Sequence, residues 1–302
     1  MLKKKMLLFS MIGLIGSLNC FADGSDNPDN EVELCMDKIS KLIISYDMEN
    51  IDFYRSESEK LIIKEFMSSN KKRYYADISR HSDSFKITEG KRPIWDNSFT
   101  CRVEVYLPDI DNLELTVTTT GGKISMDGLN WTGKTFHADS TFGLIKINSI
   151  SADLIKLSTT RGEMELETLN ARAAKIENTS GIVRCANLTG SVTYLSTNGA
   201  IYVKSADGRG SYKAGSGGIL DVRYANITGD IEMRSKNNDI NLALPTDVSF
   251  EYSFKTKNGR ISTDFPVDGE NNSGEICGHK GVHPEYSIKI ETTNGNISVS
   301  LL

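Results

Sequence analysis

Residues 157–166 read Leu157-Ser-Thr-Thr-Arg-Gly-Glu-Met-Glu-Leu166, and nineteen positions later residues 176–185 read Ile176-Glu-Asn-Thr-Ser-Gly-Ile-Val-Arg-Cys185. Each phrase has an apolar residue five before a Gly and two more at two and four after it. Alternation on both sides of a Gly turn describes two short strands, each with one buried face. The same phrase recurs at Gly122, Gly143, Gly162, Gly181, Gly199, Gly218, Gly259 and Gly295, with Asn238 at the one step that lacks a glycine. Successive spacings are 21, 19, 19, 18, 19, 20, 21 and 36, the last holding an extra loop between Asp264 and Tyr286. These nine positions are read as structural turn anchors. Asn238 fits because Asn replaces Gly cheaply where the backbone turns left-handed.

The columns carry more weight than the anchors. Two residues after each anchor stand Ile124, Ile145, Met164, Val183, Ile201, Leu220, Ile240, Ile261 and Ile297, all apolar in a chain that is 38% hydrophobic. Five before, the misfit is Lys213, and a one-residue slip in the Gly208 to Gly218 stretch would turn Tyr212 and Ala214 inward instead. A repeat of about nineteen residues is too short for a strand-helix-strand crossover. The fold expected is therefore all-β: a single-stranded parallel β-helix, or β-solenoid, with right-handed winding preferred to left. Each coil would stack on the one before it at the strand spacing of about 4.8 Å. Small hydroxylated residues three before the anchors suit a hydrogen-bonded corner ladder. Asn130-Trp-Thr-Gly133, Asn187-Leu-Thr-Gly190 and Asn226-Ile-Thr-Gly229 mark a second corner. They match the N-glycosylation pattern, but recurrence at one phase of the coil reads as turn chemistry, with Asn and Thr capping their own backbone. Lys146, Glu165 and Arg184 should form an outward ladder of alternating sign.

Outside the anchored region the chain divides into residues 1–22, a signal peptide, and residues 23–110, a β-rich cap with first coils continuous with the 111–302 solenoid as one domain. Lys3, Lys4 and Lys5 precede the apolar run Met6 to Leu18, too short to span a bilayer, with a cut expected after Ala22. Cys20 is a possible lipidation site, although Ser17-Leu-Asn-Cys20 departs from the usual lipoprotein box. Residues 31–50 admit a short helix as an alternative to strands. The formal charge of −5 becomes −8 once the leader is removed, with 32 basic against 40 acidic residues. That excludes a nucleic-acid partner.

Four cysteines remain, Cys35, Cys101, Cys185 and Cys277, whose pairing the sequence leaves open. Cys277, His279 and His283 supply three ligand types without a fourth and read as a polar loop, so no metal and no cofactor is expected. No G-x-S-x-G, G-x4-G-K-[ST] or H-E-x-x-H occurs. Glu163, Glu165 and Glu167 are the best carboxylate cluster, but Lys146 and Arg184 flank them, so no catalytic residues are assigned.

The phrases Glu59-Lys-Leu-Ile-Ile-Lys-Glu-Phe-Met-Ser68, Glu89-Gly-Lys-Arg-Pro93, Val103-Glu-Val-Tyr-Leu-Pro108 and Thr292-Thr-Asn-Gly-Asn-Ile-Ser-Val299 resemble the bacterial putative-adhesin family of β-strand-repeat domains of unknown function, over about residues 50 to 302. The resemblance implies a β-solenoid at the cell envelope, periplasmic, surface-bound or secreted, and transfers no catalytic motif. Some relatives are linked to envelope stress responses. The expectation is a non-catalytic exported scaffold that binds protein or glycan through a solenoid face and meets a membrane only through its leader or a lipid anchor. Trp131, Tyr202 and Tyr224 are its candidate outward aromatics. A polysaccharide-active lyase or hydrolase, or an envelope-stress regulatory protein, is the alternative.

Overall fold

The computed structural model describes residues 27–93, 98–267 and 274–302; the leader and Cys20 lie outside the described residues. The strands are β1 (Asn30–Cys35), β2 (Lys41–Ser45), β3 (Asn50–Arg55), β4 (Lys60–Met67), β5 (Asp77–His81), β6 (Ser84–Thr88), β7 (Cys101–Leu107) and β8 (Glu114–Thr119). Six long strands follow: β9 (Ile124–Ser140), β10 (Ile145–Thr159), β11 (Met164–Asn178), β12 (Ile182–Ser196), β13 (Ala200–Ala214) and β14 (Leu220–Ser235). The chain closes with β15 (Ile240–Leu244), β16 (Phe250–Thr256), β17 (Ile261–Thr263), β18 (Glu275–Lys280), β19 (Tyr286–Thr292) and β20 (Ile297–Leu301). Residues 31–50 form β1 and β2 rather than a helix, because Leu42 and Ile44 alternate inward and are fully buried.

Each coil is two strand segments joined at an anchor, so the molecule has two parallel ladders. The first follows the anchors: Ile124, Ile145, Met164, Val183 and Ile201 stand in one register and are 0% exposed. The second precedes them, with Ala138, Leu157, Ile176, Tyr194 and Tyr212 in register. The two inward columns face each other and form one apolar core. Each of β9 to β14 runs through both ladders without interruption. The Asn-x-Thr-Gly motifs therefore lie inside strands, with Trp131, Leu188 and Ile227 pointing inward. Their asparagines reach the adjacent coil rather than their own backbone: Asn226 Nδ2 donates to Asp207 Oδ1 at 2.9 Å, and Asn187 Nδ2 to the Glu167 carbonyl at 3.3 Å.

The anchors are small mainly because of the coil beneath them. A Cβ on Gly143 would overlap the Gly122 carbonyl oxygen, and one on Gly162 would overlap that of Gly143. Among the nine, only Gly181 and Gly218 have positive φ, 119° and 118°. Asn238 is not left-handed, so the conformational argument for it fails. The hydroxyl three residues earlier accepts the anchor amide, Thr159 Oγ1 from Gly162 N at 2.8 Å and Ser235 Oγ from Asn238 N at 3.2 Å, closing each corner internally. Tyr212 stacks under Tyr194 and Ala214 under Ser196, while Lys213 is exposed. The extra residue falls in the Gly215–Gly217 turn.

Stacking follows chain order in the middle and departs from it at both ends. The coil of β19 and β20 lies between that of Asn238 and that of Gly259: β19 pairs with β14 and β16, and β20 with β15 and β17. An asparagine ladder fixes the order, Asn294 Nδ2 donating to Asn237 Oδ1 at 2.6 Å and Asn258 Nδ2 to Asn294 Oδ1 at 2.7 Å. At the other end the coil of β2 and β3 is inserted between that of β6 and β7 and that of β8 and β9. Sequential stacking is thus corrected at each terminus, with a physical benefit. Strands β2, β3, β19 and β20 gain partners on both sides, and the outermost coils are capped antiparallel, β7 by β4 and then β1, β6 by β5, and β16 by β18.

Candidate functional site

The first ladder presents an outer face made of the residues between its buried columns. One row runs Asp52, Ser125, Lys146, Glu165, Arg184, Tyr202, Asp221, Asn241 and Ser298 in register. The expected Lys146, Glu165, Arg184 sequence is present, but the ion pairs are diagonal: Lys146 Nζ to Asp127 Oδ2 at 2.8 Å and Arg184 Nη1 to Glu163 Oε2 at 3.4 Å. A groove of about 560 Å³ lies along this row over the strand backbone at Ile147, Leu166 and Cys185, whose side chains face the core, and is walled by Asp127, Glu165, Glu167, Arg184 and Lys204. A second, of about 500 Å³, shares Tyr202 and Lys204 with it and continues past Arg223 and Asn241 to Ser298 and Ser300.

Beyond the other end of this face lies an aromatic platform. Tyr54 on β3 and Tyr106 on β7 are register partners, and their rings stack with centroids 5.3 Å apart at 29°. Ile62 on β4 is the next partner across, and Lys64 Nζ stands 5.0 Å from the Tyr106 ring centre. Tyr54 is 36% exposed. Burial, and then Glu104, whose Oε2 accepts the phenol at 3.0 Å, push Tyr106 up to about 12, so it remains a neutral donor. Sequence reading missed this pair. Its signal was the matching outward place of Tyr54 and Tyr106 in Ile51-x-Phe53 and Val103-x-Val105-x-Leu107. Of the aromatics expected outside, Trp131 and Tyr224 are buried, 6% and 1% exposed, and only Tyr202 lines the face. Tyr224 turns inward to share a hydrogen bond with Tyr212, oxygen to oxygen 3.0 Å.

The remaining reactive side chains do not converge. Glu163, Glu165 and Glu167 are exposed along β11 and the turn before it. The four thiols among the described residues are free, Cys101 and Cys185 pushed up to about 12 by burial. Among the described residues no group of three His, Cys, Asp or Glu is placed to hold a metal. Cys277 and His279 are exposed on β18, with His283 in the loop after it.

One charge cluster is buried. The Arg92 guanidinium lies between the carboxylates of Glu65 and Glu49, its Nε donating to the Tyr74 carbonyl at 3.1 Å. Glu65 also accepts from Asn30 Nδ2 at 2.8 Å, from the Ala76 amide at 2.9 Å and from the Tyr46 hydroxyl at 3.3 Å. Beside it, Glu89 accepts the Asp47 amide at 2.8 Å. Burial above all, with the Glu49 charge adding, raises Glu89 from 4.5 to about 7. Between those values the folded chain holds more protons than the unfolded one, so stability falls as pH rises through the window and the penalty is complete above it. Solvent reaches half of this carboxyl and limits the effect to about 1 kcal/mol. Glu89→Gln should therefore stabilise the protein by that amount at pH about 8 and leave it unchanged near pH 4, as read by urea unfolding. An equal gain at both pH values would refute this.

Comparison with known proteins completes the description. No curated protein matches the chain. Among solved structures it is similar to a putative adhesin from Bacteroides fragilis NCTC 9343, with 10% identity, 89% of this chain and 96% of that chain covered, and a TM-score of 0.45. Another is a putative adhesin from Parabacteroides merdae ATCC 43184, with 10% identity, 92% and 98% coverage and a TM-score of 0.36. A third is a putative cell adhesion protein from Clostridium sporogenes ATCC 15579, with 11% identity, 90% and 99% coverage and a TM-score of 0.26. The sequence matches the Toastrack DUF4097 family across residues 39–300, from just before β2 to β20, and the chain belongs to that family.

Proposed function

We propose that this protein is an exported, non-catalytic scaffold of the cell envelope that holds an extended glycan along the outer face of the first ladder. The observation that carries the reading is the alignment of the exposed Tyr54–Tyr106 stack with a groove running on to Ser298. Aromatic faces bind the C–H face of a sugar ring, and a regular row of amides, hydroxyls and charges meets hydroxyls repeating at a similar pitch. No helix among the described residues is long and apolar enough to cross a membrane, so attachment in this reading rests on the leader or a lipid on Cys20.

Glycan-array screening and pull-down from envelope fractions test it. Tyr54→Ala with Tyr106→Ala should weaken the captured glycan about tenfold, with an unchanged circular dichroism spectrum. Uronic-acid polymers should not be cleaved. Turnover abolished by Glu163→Gln or Glu165→Gln would replace the scaffold with a polysaccharide-active enzyme.

A further inference from the structure

The groove is not electrically uniform. On three successive coils one cation stands on the outer face, Arg184 on β12, Lys204 on β13 and Arg223 on β14. Those coils are about 4.8 Å apart, a spacing of the order of one sugar unit. Arg184 has only a long contact to Glu163, whereas Lys204 and Arg223 have no carboxylate within ion-pair distance among the described residues. Tyr202 lies between Arg184 and Asp221 in the adjoining row. The surroundings are asymmetric. Towards the Gly162 coil come Glu165 and Glu167, which repel an anion, while towards the Gly295 coil come the neutral Asn241, Ser298 and Ser300.

We infer that the glycan held on this face is acidic on the segment that lies beyond β11, away from the Tyr54–Tyr106 platform, and carries carboxylate or sulfate groups there. That segment lies across β12, β13, β14, β15 and β20, with its anions on Arg184, Lys204 and Arg223, one sugar ring on Tyr202, and its hydroxyls along Asn241, Ser298 and Ser300. The inference rests on the scaffold reading above and adds the ligand class. Asp221 is the one acid lining the second groove, against Lys204 and Arg223, so that stretch carries a local positive excess in a chain whose net charge is −5, and a polyanion is drawn there rather than to the rest of the surface.

The test is isothermal titration of the full protein with polygalacturonate and with its carboxyl-reduced, neutral counterpart, at low and high salt. Polygalacturonate should bind more tightly, and the difference should shrink with salt. Lys204→Ala with Arg223→Ala should lower its affinity about tenfold and leave the neutral polymer unaffected. Lys156→Ala with Lys175→Ala, which removes the same charge from the second ladder's outer face, should change neither. Equal affinity for both polymers, equal loss in both double variants, or binding of a single-stranded oligonucleotide as tight as that of polygalacturonate overturns the inference while a glycan-binding scaffold survives. Binding of neither polymer, with nothing captured on a glycan array, overturns both.

Discussion

Gly162→Ala should destabilise this protein by about 3 kcal/mol, lowering the melting temperature by about 10 °C. The methyl group would overlap the Gly143 carbonyl oxygen and press on Thr159 Oγ1, the atom that accepts the Gly162 amide. Neither neighbour can yield. The carbonyl belongs to the stacked coil below, and the hydroxyl is buried, 6% exposed. Relief requires two coils to part in mid-stack, with loss of ladder hydrogen bonds and of contact among Ile145, Met164 and Val183. Gly128→Ala is the control. Its added methyl would meet only Tyr54 Cδ1 at 3.9 Å, an ordinary contact, so its melting temperature should stay within about 2 °C of wild type. If both variants melted alike, close coil approach would not be the reason for the anchors.

The periodic part of the fold was legible because every coil repeats the same local choice. Ile124, Ile145, Met164, Val183 and Ile201 announce one buried column without knowledge of their neighbours. What lay hidden was order. Ile288 and Ile290 pack equally well against Ile231 and Met233 or against Tyr252 and Phe254, so apolar columns cannot say that β19 touches both strands. The asparagines could have said so: Asn237, Asn294 and Asn258 form the corner ladder, and that ladder orders the coils. The coil of β2 and β3 escaped notice because its corner, Asp47-Met48-Glu49, has no glycine; Gly122 supplies the clearance from the other side by resting on the Glu49 carbonyl. The outer face was half readable. Lys146, Glu165 and Arg184 follow from the repeat, whereas Tyr54 and Tyr106 come from strands without anchors and meet only through the ladder.

Arg92→Met should destabilise by about 3–5 kcal/mol. Arg92, Glu65 and Glu49 are all nearly dry, with side chains 6%, 0% and 7% exposed. Methionine roughly fills the aliphatic volume but leaves two carboxylates without a cation, and a buried uncompensated charge is the expensive half of a broken ion pair. Glu65→Gln combined with Arg92→Met removes one of the stranded charges and should recover part of the loss, a coupling that a double-mutant cycle reads directly. The cluster also accounts for two of the phrases that carry the family resemblance. Glu65 lies in the phrase from Glu59 to Ser68 and Arg92 in that from Glu89 to Pro93, and the ion pair joins them where β1, β4 and β7 cap the first coils. The N-terminal coils should then loosen before the middle of the stack. Hydrogen exchange on Arg92→Met should rise first in β2, β4 and β7 while β10 to β12 stay protected. Uniform loss of protection along the chain would mean that the cluster sets global stability and not the seating of the cap.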